Sequence, residues 1–147
     1  MIRKIESTDF ERINNLITQF SEESVRKNLM LELQQSIDSV VEGYVLEEEG
    51  KLKGYLILRK WGGVYNLDTL IVEKNFQGMG FGKQLVEYAK RRCIDQKMPQ
   101  ITTRTFFVKN VEFYKRRGFV EIGVLNGPFV PLDKKRIYLK WVSLNYE

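Results

Sequence analysis

A strand, a glycine-rich loop and a helix follow one another within residues 67–94, and this order constrains the fold more than any other feature of the chain. A run of branched apolar residues predicts a strand that ends at Val72, before the polar residues 73–75. Apolar residues spaced by three and four from Leu85 to Cys93 predict an amphipathic helix. The chain therefore passes from strand to helix through the short segment between them.

The connecting segment reads Gln77-Gly78-Met79-Gly80-Phe81-Gly82. Glycine at alternate positions lets the backbone approach a ligand closely, because no side chain intervenes. A helix that begins there presents unpaired N–H groups and the positive end of its dipole. Both properties favour an anion, and phosphate is the usual one. The alternative is a glycine-rich turn that only joins the strand to the helix.

The spacing of the glycines argues against two common nucleotide-binding loops. A Walker loop needs glycine at position 77 and serine or threonine at position 84, but both positions are glutamine. A dinucleotide loop needs a third glycine at position 83, which is Lys83, and it normally occupies the first strand-to-helix turn of a chain. We therefore expect a phosphate ligand of another kind.

The pattern Q-x-x-G-x-G, from Gln77 to Gly82, resembles the acetyl-CoA-binding motif of the GNAT acyltransferase family. A second stretch, Phe113-Tyr114 followed by Gly118-Phe119, is similar to the second signature of that family, a short helix ending in F-Y-x-x-x-G-F. Gly118 suits the left-handed position that ends a helix. Taken alone, Tyr114 would be interpreted as a half-buried aromatic residue, but the two signatures occur together and in the expected order.

The resemblance implies a set of cofactor-binding and catalytic residues for acetyl-CoA as cosubstrate. The loop would wrap the pyrophosphate, the Val72 N–H would polarise the thioester carbonyl, and Tyr114 would donate a proton to the departing thiolate. The implied cofactor-binding residues are Leu70, Ile71, Val72, Gln77, Gly78, Met79, Gly80, Phe81, Gly82, Lys83 and Asn110. The family commonly carries asparagine seven residues before the tyrosine, where this chain has Phe107. Whether Asn110 contacts the cofactor or caps a shortened helix stays open.

The general base has to be chosen without histidine, because the chain contains none. An ammonium group with a pKa near 10 must lose a proton before it can attack, so a carboxylate, a tyrosine or a water chain has to accept it. Asp68, on the strand that leads to the loop, is our first choice. A solvated or salt-bridged strand aspartate is an equally good interpretation of this residue.

Length and composition predict one domain, residues 1–147, with a core large enough to need no disulfide or metal. The single cysteine, Cys93, falls on the apolar side of the predicted helix and is interpreted as a core residue. No apolar run approaches eighteen residues, and the first residues turn polar too early for a signal peptide. We therefore expect a cytoplasmic protein without a membrane partner or a metal site.

Charge is unevenly distributed along the chain. Residues 1–63 hold nine Lys and Arg against eleven Asp and Glu, whereas residues 64–147 hold fifteen against eight. The positive excess lies with the glycine loop and supports an anionic ligand, while the acidic first half could offer carboxylates to a cationic amine. Nucleic acid is the alternative for a basic protein, but no known nucleic-acid module is recognised and the basic residues are dispersed.

The order of predicted elements favours an α/β domain of the GNAT type. Strand 2–5 is followed by a helix with a capping box at Thr8 and Glu11, and by a second helix from Ser21. Three strands then follow, joined by tight turns at Glu49-Gly50 and Gly62-Gly63, which implies an antiparallel meander. Strands at 101–105 and 136–142 complete a mixed, mostly antiparallel sheet of six or seven strands with helices on both faces.

The expected activity is transfer of an acetyl group from acetyl-CoA to a primary amine by direct attack. The alternative is a non-catalytic GNAT-like domain that binds coenzyme A or an acyl-CoA as a sensor. Phe107 and the uncertain base keep that alternative open. The sequence does not identify the acceptor, which is a small-molecule or peptide amine, and self-association as a homodimer is left open.

Overall fold

The structure is a computed structural model that describes residues 1–19, 41–125 and 135–143. The strands are β1 (Ile2–Lys4), β2 (Val41–Glu48), β3 (Lys51–Trp61), β4 (Val64–Val72), β5 (Gln100–Thr105), β6 (Val120–Leu125) and β7 (Arg136–Val142). The helices are α1 (Phe10–Ile17), α2 (Phe81–Asp95) and α3 (Val108–Lys115), with short 3-10 turns at Ser7–Asp9 and Lys74–Phe76. The second helix expected from Ser21 lies outside the described residues.

All seven strands form one sheet in the order β1-β2-β3-β4-β5-β7-β6. Every neighbouring pair is antiparallel except β4 and β5, which run parallel. The β2–β3 and β3–β4 hairpins turn at Gly50 and at Gly62-Gly63, where the backbone has positive φ. The expectation of a mostly antiparallel sheet built around a meander is therefore confirmed.

Each face of the sheet has its own apolar core. Helices α2 and α3 cover what we call the helix face, where Leu85, Val86, Val111 and Tyr114 pack with strand residues such as Leu67. Helix α1 covers part of the opposite face, which we call the second face, and there it packs on β2 and β3. The arrangement agrees with the expected helices on both faces.

Cys93 is a core residue, as its position on the apolar side of the helix predicts. The residue is fully buried, and its thiol donates a hydrogen bond to the Met98 carbonyl at 3.3 Å. Burial raises the pKa of the Cys93 thiol to about 11, so at neutral pH the reactive thiolate is scarce. A nucleophilic role for Cys93 has no support in this environment.

Strand β4 separates from β5 halfway along its length, and this separation shapes the site. The two strands pair only through residues 65–67 of β4 and 101–103 of β5, although β4 continues to Val72 and β5 to Thr105. Asp68 is a bulge on the β3 side, since Leu67 pairs with Leu58 and Thr69 with Ile57. We call the gap that opens beyond Leu67 and Thr103 the fork.

The predicted capping box at Thr8 and Glu11 is wrong. Helix α1 begins at Phe10, one residue after Asp9, and the Asp9 carboxylate accepts the backbone N–H of Glu6 at 2.9 Å. Arg3 also donates two hydrogen bonds to this carboxylate, at 2.8 and 2.9 Å. The reciprocal box therefore forms two residues earlier, at Glu6 and Asp9, where Arg3 of the neighbouring strand adds a charge-assisted pair.

Replacing Asp9 with asparagine is expected to destabilise the fold by about 1–3 kcal/mol, because the buried Arg3 contacts lose their anionic partner. The hydrogen bonds from Arg3 lower the pKa of Asp9 below its usual value, although burial opposes them. A depressed pKa contributes stability above the unfolded-state pKa, and that contribution is lost as pH falls through the folded-state pKa. Urea unfolding at several pH values should therefore show the parent and the variant converging in acid.

Candidate active site at the fork

The glycine loop adopts the backbone geometry that its sequence predicts. Gly78 and Gly80 have φ values of +77° and +90°, in the left-handed region that glycine tolerates, and α2 begins at Phe81. A Cβ atom placed on either glycine would meet no atom within 4 Å. The first turn of α2 therefore opens onto free space, as an anion site at a helix N-terminus requires.

A cavity of about 580 Å³ lies between this loop and α3. Its lining consists of Leu70, Val72, Phe76, Gln77, Gly78, Gly80, Gly82, Lys83, Lys109, Asn110, Phe113, Arg116 and Arg117. Four of these residues are cationic and none is acidic. The positive side chains add to the dipole of α2, so this cavity suits a ligand with several negative charges.

The cavity brings together eight of the eleven expected cofactor-binding residues. The three that do not line it are Ile71, Met79 and Phe81. Ile71 packs on the second face, and Phe81 belongs to the core of the helix face. Met79 is 62% exposed at the tip of the loop. Successive side chains of β4 point to opposite faces of the sheet, so Ile71 points away from the cavity that its neighbours line. Phe81 begins α2, and the helical direction turns its side chain toward the core.

Gly82 allows α3 to pack closely against α2, a role that its place in the motif does not indicate. Its backbone is not in the left-handed region, but a Cβ atom there would lie 3.2 Å from two ring atoms of Phe113. The missing side chain thus lets α3 approach the first turn of α2. This contact forms one wall of the cavity.

The end of β4 is fixed by the loop that follows it. The Gln77 side-chain amide donates a hydrogen bond to the Val72 carbonyl at 3.2 Å. The Glu73 N–H bonds the Lys53 carbonyl on β3, so alternation turns the Val72 N–H the other way, toward the fork. A backbone donor with this orientation matches the one that the family resemblance implies.

The expectation that Asn110 caps a shortened helix is wrong. Helix α3 begins at Val108, and its N-cap residue, Phe107, makes no side-chain capping bond. Asn110 lies in the first turn, where its side-chain amide donates to the Thr105 hydroxyl at 3.1 Å. The residue still lines the cavity. Its amide therefore ties the end of β5 to α3 at the side of the fork.

Tyr114 lies in the core of the helix face with its hydroxyl at the fork. The residue is 7% exposed, and its ring lies 5.2 Å from those of Phe113 and Phe119, measured between centroids. Its hydroxyl is hydrogen-bonded to the side chain of Thr103, the last residue of β5 that pairs with β4. Burial raises the pKa of Tyr114 to about 12, although the bond with Thr103 acts in the opposite direction. The phenol therefore stays protonated at neutral pH and can act as a donor.

Asp68 lies at the fork but does not line the cavity. Its carboxylate is 2.7 Å from Nε of Arg59 on β3 and 3.7 Å from Nη1 of Arg104 on β5. Its side chain is largely buried between these two strands. Asp68 thus forms ion pairs with two arginines, and its assignment as the base stays a prediction.

Sequence reasoning missed five residues that line the cavity. They are Phe76, Lys109, Phe113, Arg116 and Arg117. The three basic ones belong to the positive excess of the second half: Lys109 precedes the second signature, and Arg116 and Arg117 lie within it. That signature and the charge distribution, considered together, could have indicated that α3 and the turn after it bring basic residues to the glycine loop.

Within residues 1–19, 41–125 and 135–143, no group of three or more His, Cys, Asp or Glu is placed to bind a metal ion. None of the helices in those ranges is both long enough and apolar enough to cross a bilayer.

Comparison with known proteins gives a consistent result. A family model described as "Acetyltransferase (GNAT) domain" matches residues 41–121. No curated protein matches the chain by sequence. Among solved structures, the chain is similar to a GNAT-family protein from Desulfovibrio desulfuricans, with a TM-score of 0.88, 16% identity and coverage of 97% of this chain and 98% of that one.

Two other similar structures are N-acetyltransferases. The ribosomal-protein-S18-alanine N-acetyltransferase of Escherichia coli has a TM-score of 0.82 at 15% identity, with 97% of this chain and 92% of that one covered. An aminoglycoside 6'-N-acetyltransferase complexed with coenzyme A has a TM-score of 0.80 at 15% identity, with 97% and 96% covered. At these identities the likeness shows the fold alone.

Proposed function

Because the chain belongs to the GNAT acetyltransferase family, we propose that it transfers the acetyl group of acetyl-CoA to a primary amine by direct attack. The observation that carries this proposal is the fork. At the open edge of β4, Leu70 and Val72 line a basic cavity at a helix N-terminus. Tyr114, which is not itself part of the lining, follows the lining residue Phe113 and interacts with Thr103 where the strands separate. One constellation thus offers sites for the phosphates, for the thioester and for the departing thiol.

The residues of the cavity fit coenzyme A in charge and in shape. Gly78 and Gly80 leave the space that phosphate oxygens would need, and the N–H groups of α2 point into it. Lys83, Lys109 of α3, and Arg116 and Arg117 of the turn after α3 would balance the remaining negative charge. Bound acetyl-CoA supplies an activated acetyl thioester.

Two groups of the chain would act at the fork. The Val72 N–H would stabilise the negative charge that develops on the carbonyl oxygen. The Tyr114 hydroxyl, kept protonated by its raised pKa, would give its proton to sulfur. Both groups are held by packing, so little reorganisation is needed when charge develops.

We keep Asp68 as the proposed base, acting directly or through water. Asp68→Asn is expected to lower turnover at neutral pH by on the order of a hundredfold or more, with acetyl-CoA affinity almost unchanged. The measurement is a pH–rate profile. If turnover of the variant no longer rises with pH as that of the parent does, the result would support proton transfer to Asp68. An unchanged pH–rate profile would assign that role to water or to another carboxylate.

A matched variant separates proton transfer from the structural role of Asp68. Arg59→Gln removes the 2.7 Å ion pair but leaves the carboxylate in place. If Arg59→Gln lowers turnover as much as Asp68→Asn does, the ion pair rather than the base explains the loss.

A non-catalytic coenzyme A binder or sensor is the second candidate function. It is favoured by Phe107, which is 53% exposed where the family commonly has asparagine, and by the ion pairs that engage Asp68. Such a protein would bind coenzyme A without accelerating its release from the thioester.

One experiment distinguishes the two functions. Calorimetry measures coenzyme A binding, and steady-state thiol release is then followed with acetyl-CoA and a panel of amines. We expect binding together with amine-dependent thiol release. Binding without any amine-dependent release would support the sensor, and failure to bind coenzyme A would contradict both functions.

A further inference from the structure

Within the part of the chain that the structure describes, the fork is closed to an amine on the helix face. On the helix face, α3 closes the fork, since Thr103 is 4% exposed and Tyr114 packs against Phe113 and Phe119. The basic cavity beside it would hold the cosubstrate. The acceptor must therefore approach from the second face, so the side chains there select it.

The second face is strongly basic around the fork. Leu58 and Leu139 belong to the core of the helix face, so alternation places Arg59 and Lys140 on the second face. By the same rule Arg104, which follows Thr103, and Arg136, which precedes Ile137, lie there too. We call Arg59, Arg104, Arg136 and Lys140 the basic face.

Among the described strand residues, Asp68 is the one carboxylate beside the basic face. Its single negative charge does not neutralise the four positive charges there. This residue pairs with Arg59 at 2.7 Å and more loosely with Arg104 at 3.7 Å. Register brings Arg104 opposite Tyr138 and Lys140 opposite Thr102, two neutral residues. On the adjacent strands β5 and β7, Arg104 therefore has only the 3.7 Å contact with Asp68, and Lys140 has no carboxylate partner among the described residues.

The carboxylates described in the acidic first half do not compensate for this charge. Asp9 and Glu47 pair with Arg3 and Arg12 at the β1 edge. Glu42 pairs with Arg92. The sequence-based expectation that first-half carboxylates receive a cationic amine thus finds no support in these residues. Four more, Glu6, Glu11, Glu48 and Glu49, are exposed beside α1 and at the β2–β3 turn, away from β5 and β7 in the strand order, and those at 22–38 lie outside the described part of the chain.

We infer that the acceptor is an amine that also carries an anionic group, a carboxylate or a phosphate, and that Arg104 and Lys140 bind this group. The inference rests on the proposed acetyl transfer and specifies its substrate class. Guanidinium and ammonium groups attract a carboxylate or phosphate and repel a polycation such as a polyamine or an aminoglycoside. The anion would orient the amine toward the fork.

Matched pairs of amines test the substrate class. One pair is O-phosphoethanolamine and ethanolamine, and the other is β-alanine and its amide, so that the pairs separate phosphate from carboxylate. Spermidine and kanamycin serve as polycations. We expect the anionic member of at least one pair to exceed its neutral partner by about tenfold or more in kcat/KM. Equal rates in both pairs, or a preference for the polycations, would overturn the inference.

Charge-removing variants test the residues. Lys140→Gln and Arg104→Gln are expected to reduce the ratio of kcat/KM between the anionic and the neutral amine by about tenfold, mainly through KM. Arg104→Lys should preserve most of the ratio. Arg91→Gln is the matched control, because Arg91 is an exposed cation on α2, on the other face of the sheet.

Binding gives a second readout that does not depend on turnover. Calorimetric titration of the preferred anionic amine into the protein with saturating coenzyme A should show about tenfold weaker binding for Lys140→Gln than for Arg91→Gln. If coenzyme A binds and neutral or polycationic amines release thiol as fast as the anionic amines or faster, only this inference fails. If coenzyme A does not bind, the proposed function fails and the inference fails with it.

Discussion

Gly80→Val is expected to weaken coenzyme A binding by at least about a hundredfold while the fold survives. A valine side chain would enter the space in front of the first turn of α2, where a Cβ atom now meets nothing within 4 Å. Two lost charge-assisted hydrogen bonds, at roughly 1.5–3 kcal/mol each, account for that factor. Calorimetry on a variant with a parent-like circular dichroism spectrum measures it.

Gly63→Val provides the matched control. Gly63 has a φ of +78°, close to the +90° of Gly80, and a Cβ atom there also meets nothing within 4 Å. Both variants therefore carry a similar backbone strain of about 1–3 kcal/mol, but Gly63 lies in the β3–β4 turn, away from the cavity. Unchanged coenzyme A affinity in a folded Gly80→Val protein would contradict the phosphate assignment.

Tyr114→Phe is expected to reduce kcat by roughly tenfold to a thousandfold, with little change in coenzyme A affinity. The substitution keeps the ring that packs between Phe113 and Phe119 and removes only the hydroxyl at the fork. Negative charge develops on sulfur in the transition state and is small in the bound thioester, so a proton donor acts on turnover rather than on binding. Steady-state kinetics with an accepted amine, together with calorimetry, measures both quantities.

Tyr65→Phe controls for the loss of a buried phenol. Tyr65 is fully buried in the same core, but its hydroxyl lies near Glu42 and Arg92 rather than at the fork. Parent-like turnover of Tyr114→Phe would make Tyr114 a packing residue and assign the proton to solvent. Equal losses in both variants would indicate a general effect on the core.

The local elements of this fold could be predicted because their signals are local. The period of three and four gave α2, and glycine at 78 and 80 matched two positions that need positive φ. The antiparallel meander followed from the turns at Gly50 and Gly62-Gly63. Each of these features depends on a few adjacent residues.

The remaining features depend on residues that are distant in sequence. Thr8 and Asn110 are residue types that often cap helices, but hydrogen bonds to residues distant in sequence determine the local structure at both places. Arg3 of β1 pairs with Asp9, and Thr105 of β5 takes the Asn110 amide. Lys109 of α3, and Arg116 and Arg117 just after it, reach the cavity because α3 packs on Gly82, which no local pattern indicates.

The short β4–β5 ladder also divides the hydrogen bonding of the sheet into two antiparallel units. Strands β1 to β4 form one unit, and β5, β7 and β6 form another, while three β-sheet residue pairs and the core of the helix face join them. Because this ladder has few hydrogen bonds and its strands are far apart in sequence, we expect it to open before the hairpins in native-state fluctuations. A ligand held at the fork would touch both units, so binding would raise the cooperativity of unfolding as well as the stability.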